Sequence, residues 1–517
     1  MANKPGRSTT MAERERFLLG LDAGNTVIKA VLFDLSGKQV AAHGIDGATH
    51  KPAPGMVERS INELWDNAKV AIAKTIAQAN IDADQIAAIG TAGHGNGLYL
   101  LDKELQPLLG IQSLDSRAAE LANTLDGNQG DRLHAICLQR PWPSQTPVLL
   151  AWLQKNRPEV YARVGTLFFA KDVLTWRLTD KIVSEISDMS GAGLVRMPHA
   201  AYDQELLELY GLSDAMAFLP QLHQPSDVVG TITEEAAAST GLAIGTPVVA
   251  GLFDVVASAM GSGAALPGSA SVVVGSWSIN QVFSDKPVED DRVFMVAAYG
   301  ANRYANMENS ATSAANLEWY VRALIERGQH HDDPFGLVNE LVGQIQPSHD
   351  DPMFQPFLYG GRLGSHFRAS FFGVAGWHEE GHLLRALFEG IMFEHRRHVA
   401  VLADAGVTMD QAVLSGGGSR SAHWPQMFAD GLGVPVTVAE ARETGALGAA
   451  MVAAIGARIY GDEIAAAQAM TRAVRTYTPN PSMRPHYERR YSIWTRLNAA
   501  SEPIWRDLQS KDEYGET

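Results

Sequence analysis

Apolar residues near the start of the chain come in short runs, the second of them β-branched, separated by small polar turns. Residues 18–21 form one run, residues 23–26 have turn chemistry, and residues 27–33 form a second run. Ser36-Gly37-Lys38 marks another turn before a third strand, so the opening predicts a meander with tight, polar connections. The period changes over residues 60–80, where Ile61, Leu64, Trp65, Ala68, Val70 and Ile72 recur at helical spacing. Residues 86–90 read as a strand again and end in Thr91-Ala92-Gly93-His94-Gly95-Asn96-Gly97. Strands alternating with helices predict the α/β class.

The second half returns to the same arrangement. Residues 247–251 predict a strand leading into Leu252-Phe253-Asp254. Residues 269–274, the turn Gly275-Ser276-Trp277-Ser278 and residues 279–283 predict strand, turn and strand. Residues 412–414 predict a strand running into Ser415-Gly416-Gly417-Gly418-Ser419, with a helix over 420–432. Each half therefore opens with a hairpin whose turn is small and polar. That predicts a duplicated architecture with a boundary near 240–250, where Gly241, Gly245 and Pro247 cluster. The repeat is too long for a solenoid or a propeller.

Composition narrows the class of partner. The 517 residues, 46% of them hydrophobic and 19% charged, supply a large core. At ~100–200 residues each this means about two to four domains. The formal net charge of −16 argues against a protein that wraps nucleic acid or an anionic membrane. It leaves room for a phosphate held by local backbone donors and a cation. The single cysteine, Cys137, excludes an intrachain disulfide and a cysteine zinc site, and points to a reducing compartment. Residues 1–16 are polar, lack an apolar stretch and read as a flexible leader rather than a signal peptide. No run is long and apolar enough to cross a bilayer. The expectation is a cytoplasmic protein with no nucleic-acid or membrane partner.

Four segments carry candidate chemistry. Asp22-Ala23-Gly24-Asn25-Thr26, with Lys29 beyond, joins a strand-end carboxylate to a glycine turn with free N–H groups. Such a set can hold a hydrated Mg²⁺ beside a phosphate chain; equally, Asp, Gly and Asn are what a hairpin turn requires. Asp254 stands alone among apolar residues before a helical stretch, where it can take a hydroxyl proton or simply cap the helix. Ser415-Gly416-Gly417-Gly418-Ser419-Arg420-Ser421 lets a flat ligand approach the backbone, or is a flexible loop; it is neither a dinucleotide fingerprint nor a Walker loop. Glu443-Thr444-Gly445-Ala446-Leu447-Gly448-Ala449-Ala450 places small residues at helical spacing for close packing, not for a membrane. No His, Asp and Glu set has convincing metal-ligand spacing.

Taken in order, these segments resemble the FGGY carbohydrate kinases of the actin, hexokinase and Hsp70 ATPase superfamily. LGLDAGNTVIKAVLFD is similar to the first phosphate motif of that family, AGLFDVVASAMG to the segment of its catalytic aspartate, and SVVVGSWSINQVF to its second phosphate hairpin. LSGGGSRSAHWPQMFADGLGVPV resembles its adenosine loop, ETGALGAAMVA its interdomain helix, and ASFFGVAGWHEEGHLLRALFEG its C-terminal signature. Leu149 departs from the pattern, which has Lys there. Within the family the likeness is to the L-xylulose (3-keto-L-gulonate) kinase group at GLFDVV, ANLEWY and FLYGGR, and erythritol kinases share the first two motifs.

The resemblance implies two actin/hexokinase-like (ribonuclease H-like) domains flanking a nucleotide cleft. Residues 17–248 would carry the sugar and first phosphate motifs, 249–490 the catalytic aspartate and adenosine motif, and 491–517 a C-terminal helix and tail. It implies Asp254 as general base and Asp22 as the group that orients Mg²⁺ through water. Gly24, Asn25, Thr26, Lys29, Gly275 and Ser276 would face the ATP phosphates, and Gly417, Gly418 and Ser421 the adenosine. His94, Gly95 and Asn96 fall where relatives meet the sugar; xylulokinases carry Gln-Met-His there and glycerol kinases Gln-Arg-Glu. The activity implied is ATP-dependent phosphorylation of a terminal hydroxyl of a small open-chain sugar, a ketopentose such as L-xylulose or a related keto-acid sugar. Erythritol, D-xylulose and ribulose stay open as substrates, as does a homodimer. From another class, a non-catalytic sugar and ATP sensor would be expected to lack Asp254 or Asp22, and an Hsp70-like ATPase would need a further domain.

Overall fold

The computed structural model describes residues 15–300, 302–328, 330–364 and 366–509. The leader expected over 1–16 falls outside them except for Glu15 and Arg16, as does the tail beyond Gln509.

The opening meander forms as its turns dictate: β1 (Phe17–Ala23), β2 (Val27–Asp34) and β3 (Gln39–Asp46) are antiparallel neighbours. Helix α1 (Ile61–Ala79) starts where the Ser60 side chain accepts from the Glu63 N–H. It buries Ile61, Leu64, Trp65, Ala68, Ala71 and Ile72, whereas Val70 faces solvent. The helical spacing thus holds with Ala71 in the place expected for Val70. Strand β4 (Ile86–Gly93) then runs parallel to β1 and is three residues longer than its apolar run. A satellite sheet of β5 (Leu98–Asp102), β6 (Pro107–Ile111) and β7 (Val164–Phe168) follows. Helices α2 (Ala170–Thr179) and α3 (Ile186–Gly191) lead to β8 (Val228–Thr231), β9 (Pro247–Val249) and β10 (Leu252–Phe253), all in the first sheet. The strand expected over 247–251 is broken, because Gly251 has φ +96° and a Cβ there would stand 2.3 Å from the Thr91 carbonyl oxygen. Helix α4 (Asp254–Gly261) closes this part.

The second sheet begins with β11 (Ser269–Val274), β12 (Ser278–Ser284), β13 (Met295–Gly300) and β14 (Arg303–Ser310). After α5 (Ala315–Tyr320) and the long α6 (Glu380–Asp404), β15 (Gln411–Ser415) pairs parallel to β11. The helix expected over 420–432 is shorter: Gly417–Arg420 is a 3₁₀ turn, and α7 (Trp424–Leu432) starts after an extended Ser421. Strand β16 (Val436–Ala439), α8 (Thr444–Gly456), β17 (Ala473–Tyr477) and α9 (Arg484–Gln509) complete the order, α9 starting before the 491 expected for it.

The two sheets share a common arrangement around their opening hairpins. The first runs β8-β9-β4-β1-β2-β3 and the second β13-β14-β12-β11-β15-β16-β17. In each, an antiparallel hairpin with one further antiparallel strand beyond it (β3 in the first, β14 in the second, where β13 lies outside β14) is followed by parallel strands on the side of its first strand. The duplication read from the two hairpins is therefore a property of the fold.

Where the sheets change over differs from the expectation. β10 still pairs with β4, so the change lies between Phe253 and Ser269 instead of at 248. Residues 444–456, counted with the second half in the sequence, pack on the first sheet as α8. That contact is backbone to backbone. A Cβ on Gly20 would stand 1.9 Å from the Ala446 carbonyl oxygen, on Gly90 1.9 Å from that of Ala449, and on Gly448 2.0 Å from that of Ala257. Small residues are needed there for approach, as the spacing of the segment predicted. Among the described residues no helix is long and apolar enough to cross a membrane.

Candidate active site

Register brings the two candidate carboxylates to one end of the first sheet. Ala92 on the central β4 pairs with Asp22 on one side and Leu252 on the other, so Asp254 emerges two residues past that level. Asp254 is the first residue of α4, whose cap position is Phe253; the plainer role of helix cap is not the one it fills. Burial first, then the like charge of Asp22, push the Asp254 carboxyl well above the usual carboxylate range, against the Val255 N–H. Burial pushes Asp22 up to about 6, with Lys29 opposing and Glu443 reinforcing. The N-terminus of α8 abuts the same carboxylate, since a Cβ on Gly445 would stand 2.6 Å from Asp22 Oδ2. A carboxyl whose charge raises its neighbour's across a strand end shares one site with it.

The first phosphate turn is clasped from behind. The buried Arg59 donates to the Gly24 carbonyl at 2.9 Å and to that of Asn25, and Gln112 donates to the Asn25 carbonyl at 2.6 Å. With those carbonyls turned inward, Thr26 stays exposed at the tip. Lys29 pairs with Glu443 at 2.6 Å, so its charge is shared with the residue preceding α8. In the second turn Gly275 accepts from the Ala314 N–H at 2.9 Å, while Ser276 and Trp277 are exposed.

Two cavities adjoin these turns. One of about 500 Å³ is lined by Asp254, Asn25, Gly95 and Asn96 from the first half, and by Trp277, Asn309 and Arg362 from the second. Ser113, Trp142 and Phe294 also face it. Asn25, assigned to phosphate by its motif, donates to Ser113 Oγ at 2.9 Å and stands in this wall. His94 does not line it: its Nε2 is 2.9 Å from the Tyr99 hydroxyl, and burial, then the Arg59 charge, hold its imidazole down to about 3. It is a neutral interior residue behind the wall formed by Gly95 and Asn96.

The other cavity, of about 340 Å³, holds Gly417, Gly418 and Ser421 together with Ala314, Leu317 and Phe335. Phe388 and Trp424 stack at 4.2 Å along it, and Asn339 Oδ1 accepts from Ser421 Oγ at 2.7 Å and from the Ala422 N–H at 3.1 Å. Apolar walls with a few fixed polar atoms suit a flat heterocycle. Gly416, at φ +82°, lets the loop turn against the Val274 carbonyl, and joins this cavity to the second phosphate turn.

Arg59, Ser113 and Asn339 were not found from the sequence. Each lies tens of residues or more from the motif it serves and carries no local signature. Phe388 lies within the C-terminal signature quoted above and Trp424 within the glycine-loop segment, and those were their only signals.

The family model described as "FGGY family of carbohydrate kinases, N-terminal domain" matches residues 17–261, and its C-terminal counterpart matches residues 270–457. The chain is 31% identical over 493 residues to the L-xylulose/3-keto-L-gulonate kinase of Escherichia coli, covering 94% of this chain and 97% of that one. It is 33% identical over 489 residues to a probable L-xylulose kinase of Pasteurella multocida, covering 94% and 99%. Among solved structures it is similar to a xylulose kinase from Rhodospirillum rubrum, with TM-score 0.87, 27% identity, and coverage of 95% and 100%. A gluconate kinase from Lactobacillus acidophilus, at TM-score 0.89 and 21% identity over 96% and 100% of the chains, shares the fold.

Proposed function

Because the chain belongs to the FGGY family of carbohydrate kinases, we propose that it transfers the γ-phosphoryl group of ATP to a terminal hydroxyl of an open-chain ketopentose, L-xylulose or a related keto-acid sugar. The observation that carries this reading is the convergence of Asp254 and Asp22 at level strand ends, with Asp254 opening into the larger cavity. The names of the relatives support the substrate class.

In this reading the adenine lies in the smaller cavity against Phe388 and Trp424, and the phosphates run past Gly275 and Ser276 toward Gly24 and Thr26. The sugar occupies the larger cavity beside Gly95 and Asn96. Asp254 takes the proton of the terminal hydroxyl as that oxygen bonds to the γ-phosphorus. The bond from phosphorus to the β–γ bridging oxygen breaks, and ADP departs with that electron pair. A carboxylate raised by burial is a stronger base than a free one, and is protonated, hence inactive, below its elevated pKa.

The residues present fit a magnesium ion. Lys29, which partly offsets Asp22, is itself paired with Glu443, so the ionised Asp22 carboxylate is left largely uncompensated by the protein. Mg²⁺ keeps most of its waters and leans on phosphate oxygens, so one carboxylate can suffice. Asp22 would hold it through water; when bound it neutralises phosphate charge.

The test is a coupled assay of ADP release at fixed ATP with L-xylulose, 3-keto-L-gulonate, D-xylulose, ribulose and erythritol. Sugar-dependent release, fastest with L-xylulose or the keto acid, is the expected result. Sugar binding with no release from any member of the panel would replace the kinase reading with that of a sensor.

A further inference from the structure

Beneath the larger cavity lies a group of charged side chains that the mechanism does not use. Lys171, Asp172, Glu185 and Asp188 are all buried. Lys171 Nζ stands 2.5 Å from Asp172, 3.2 Å from Asp188 and 3.4 Å from Glu185. One cation among three carboxylates is an expensive interior arrangement, and apolar residues of similar volume are often no less stable. What this group holds in place explains its presence.

Glu185 caps α3, accepting from the Ser187 N–H at 2.5 Å and the Asp188 N–H at 3.0 Å, and its Oε1 also accepts from Ser187 Oγ at 2.9 Å. The Ser187 hydroxyl is thereby turned so that its oxygen accepts from the Phe253 N–H at 3.0 Å. Phe253 immediately precedes Asp254. Its ring is confined from both sides: a Cβ on Gly95 would stand 2.5 Å from it and a Cβ on Gly191 3.0 Å. The far end of α3 reaches the second sheet, where Ser190 Oγ accepts from the Ala298 N–H of β13 at 2.8 Å. The same strand supplies Met295 to the cavity wall. This six-residue helix is bonded at one end to the residue before Asp254 and at the other to the opposite wall of the cavity.

We infer that Ser187 is a positioning residue for Asp254, acting through the Phe253 peptide, and that the Lys171 charge group holds α3 as a strut between that peptide and strand β13. This rests on the assignment of Asp254 as base. Without the Ser187 oxygen the Phe253 N–H is left unpaired and α4 is free to shift, and misplacement of a reacting group by about 1 Å lowers turnover strongly.

The experiment compares Ser187→Ala, Gly191→Ala and Asp254→Asn with the parent, measuring kcat, KM for ATP, ATP affinity by calorimetry and melting midpoint. Gly191→Ala leaves every hydrogen-bonding side chain in place and presses on the Phe253 ring, so it reads the inference even if Ser187→Ala folds poorly. The expected result is a kcat lowered about tenfold in Ser187→Ala and about threefold in Gly191→Ala, with KM and affinity for ATP within twofold of the parent. Folded Ser187→Ala with parental kcat, or losses of kcat matched by equal losses of ATP affinity, would overturn it. Should Asp254→Asn turn over normally, the base assignment fails and the inference with it. Should Asp254→Asn be inactive while Ser187→Ala is normal, only the inference fails.

Discussion

Replacing Gly448 by Ala tests how closely α8 must approach the helix that carries Asp254. A Cβ at 448 would stand 2.0 Å from the Ala257 carbonyl oxygen, whereas ordinary contact begins near 3.4 Å, so the helices must part by about 1.4 Å. Both partners are backbone, and neither can rotate aside. Overpacking of this kind costs about 1–3 kcal/mol, and the upper end applies where no side chain can yield. Ala257 lies one turn beyond Asp254 on α4, so the displacement is passed directly to the proposed base. A shift of about 1 Å there is worth up to ~100-fold in turnover. Gly127→Ala is the control: it lies within the helix Ala119–Cys137, a Cβ there meets nothing within 4 Å, and the change should stabilise by about 0.5–1 kcal/mol. Melting midpoints by circular dichroism and turnover at saturating ATP and sugar give the two readouts. Gly448→Ala melting with the parent and turning over within twofold of it would refute the packing argument.

Three further outcomes follow from the site. Asp22→Asn should stabilise the ligand-free protein at pH 8, since a folded pKa of about 6 against 3.8 makes the ionised carboxylate cost about 3 kcal/mol. A raised carboxyl loses its relative stability as pH climbs through 6, so the gain in denaturation midpoint should shrink toward pH 4.5; a gain equal at both pH values would contradict it. Asn339→Leu removes the acceptor of Ser421 Oγ and the Ala422 N–H, and should raise KM for ATP about tenfold without changing that for sugar. Arg59→Met unclasps the first phosphate turn and should raise KM for ATP by about tenfold or more, so a parental value would disprove that role.

Local chemistry made the hairpins legible. The runs flanking Ala23–Thr26 and Gly275–Ser278 are apolar, and their turns have the small, polar residues that hairpins require. Asp254 was ambiguous alone, because an acid before a helix is equally a cap, and only the order of the motifs favoured the site. Long-range closure was hidden. Lys29 finds Glu443 more than four hundred residues away, Arg59 reaches back to Gly24, and Asn339 meets Ser421, all through pairings that no window of sequence contains. The break at Gly251 and the late start of α7 at Trp424 were missed for the same reason. Thr91 and Val274, against which the backbones of Gly251 and Gly416 lie close, belong to other strands. His94 is the converse case, since the resemblance placed it where relatives meet the sugar, while its bond to Tyr99 faces inward.

The most direct measurement is single-turnover transfer from labelled ATP to the best sugar of the panel by Asp254→Asn, beside calorimetry of ATP binding to the same protein. The account predicts parental ATP affinity and a transfer rate lowered by ~100-fold or more, the usual contribution of a positioned base. Transfer within threefold of the parent would contradict it.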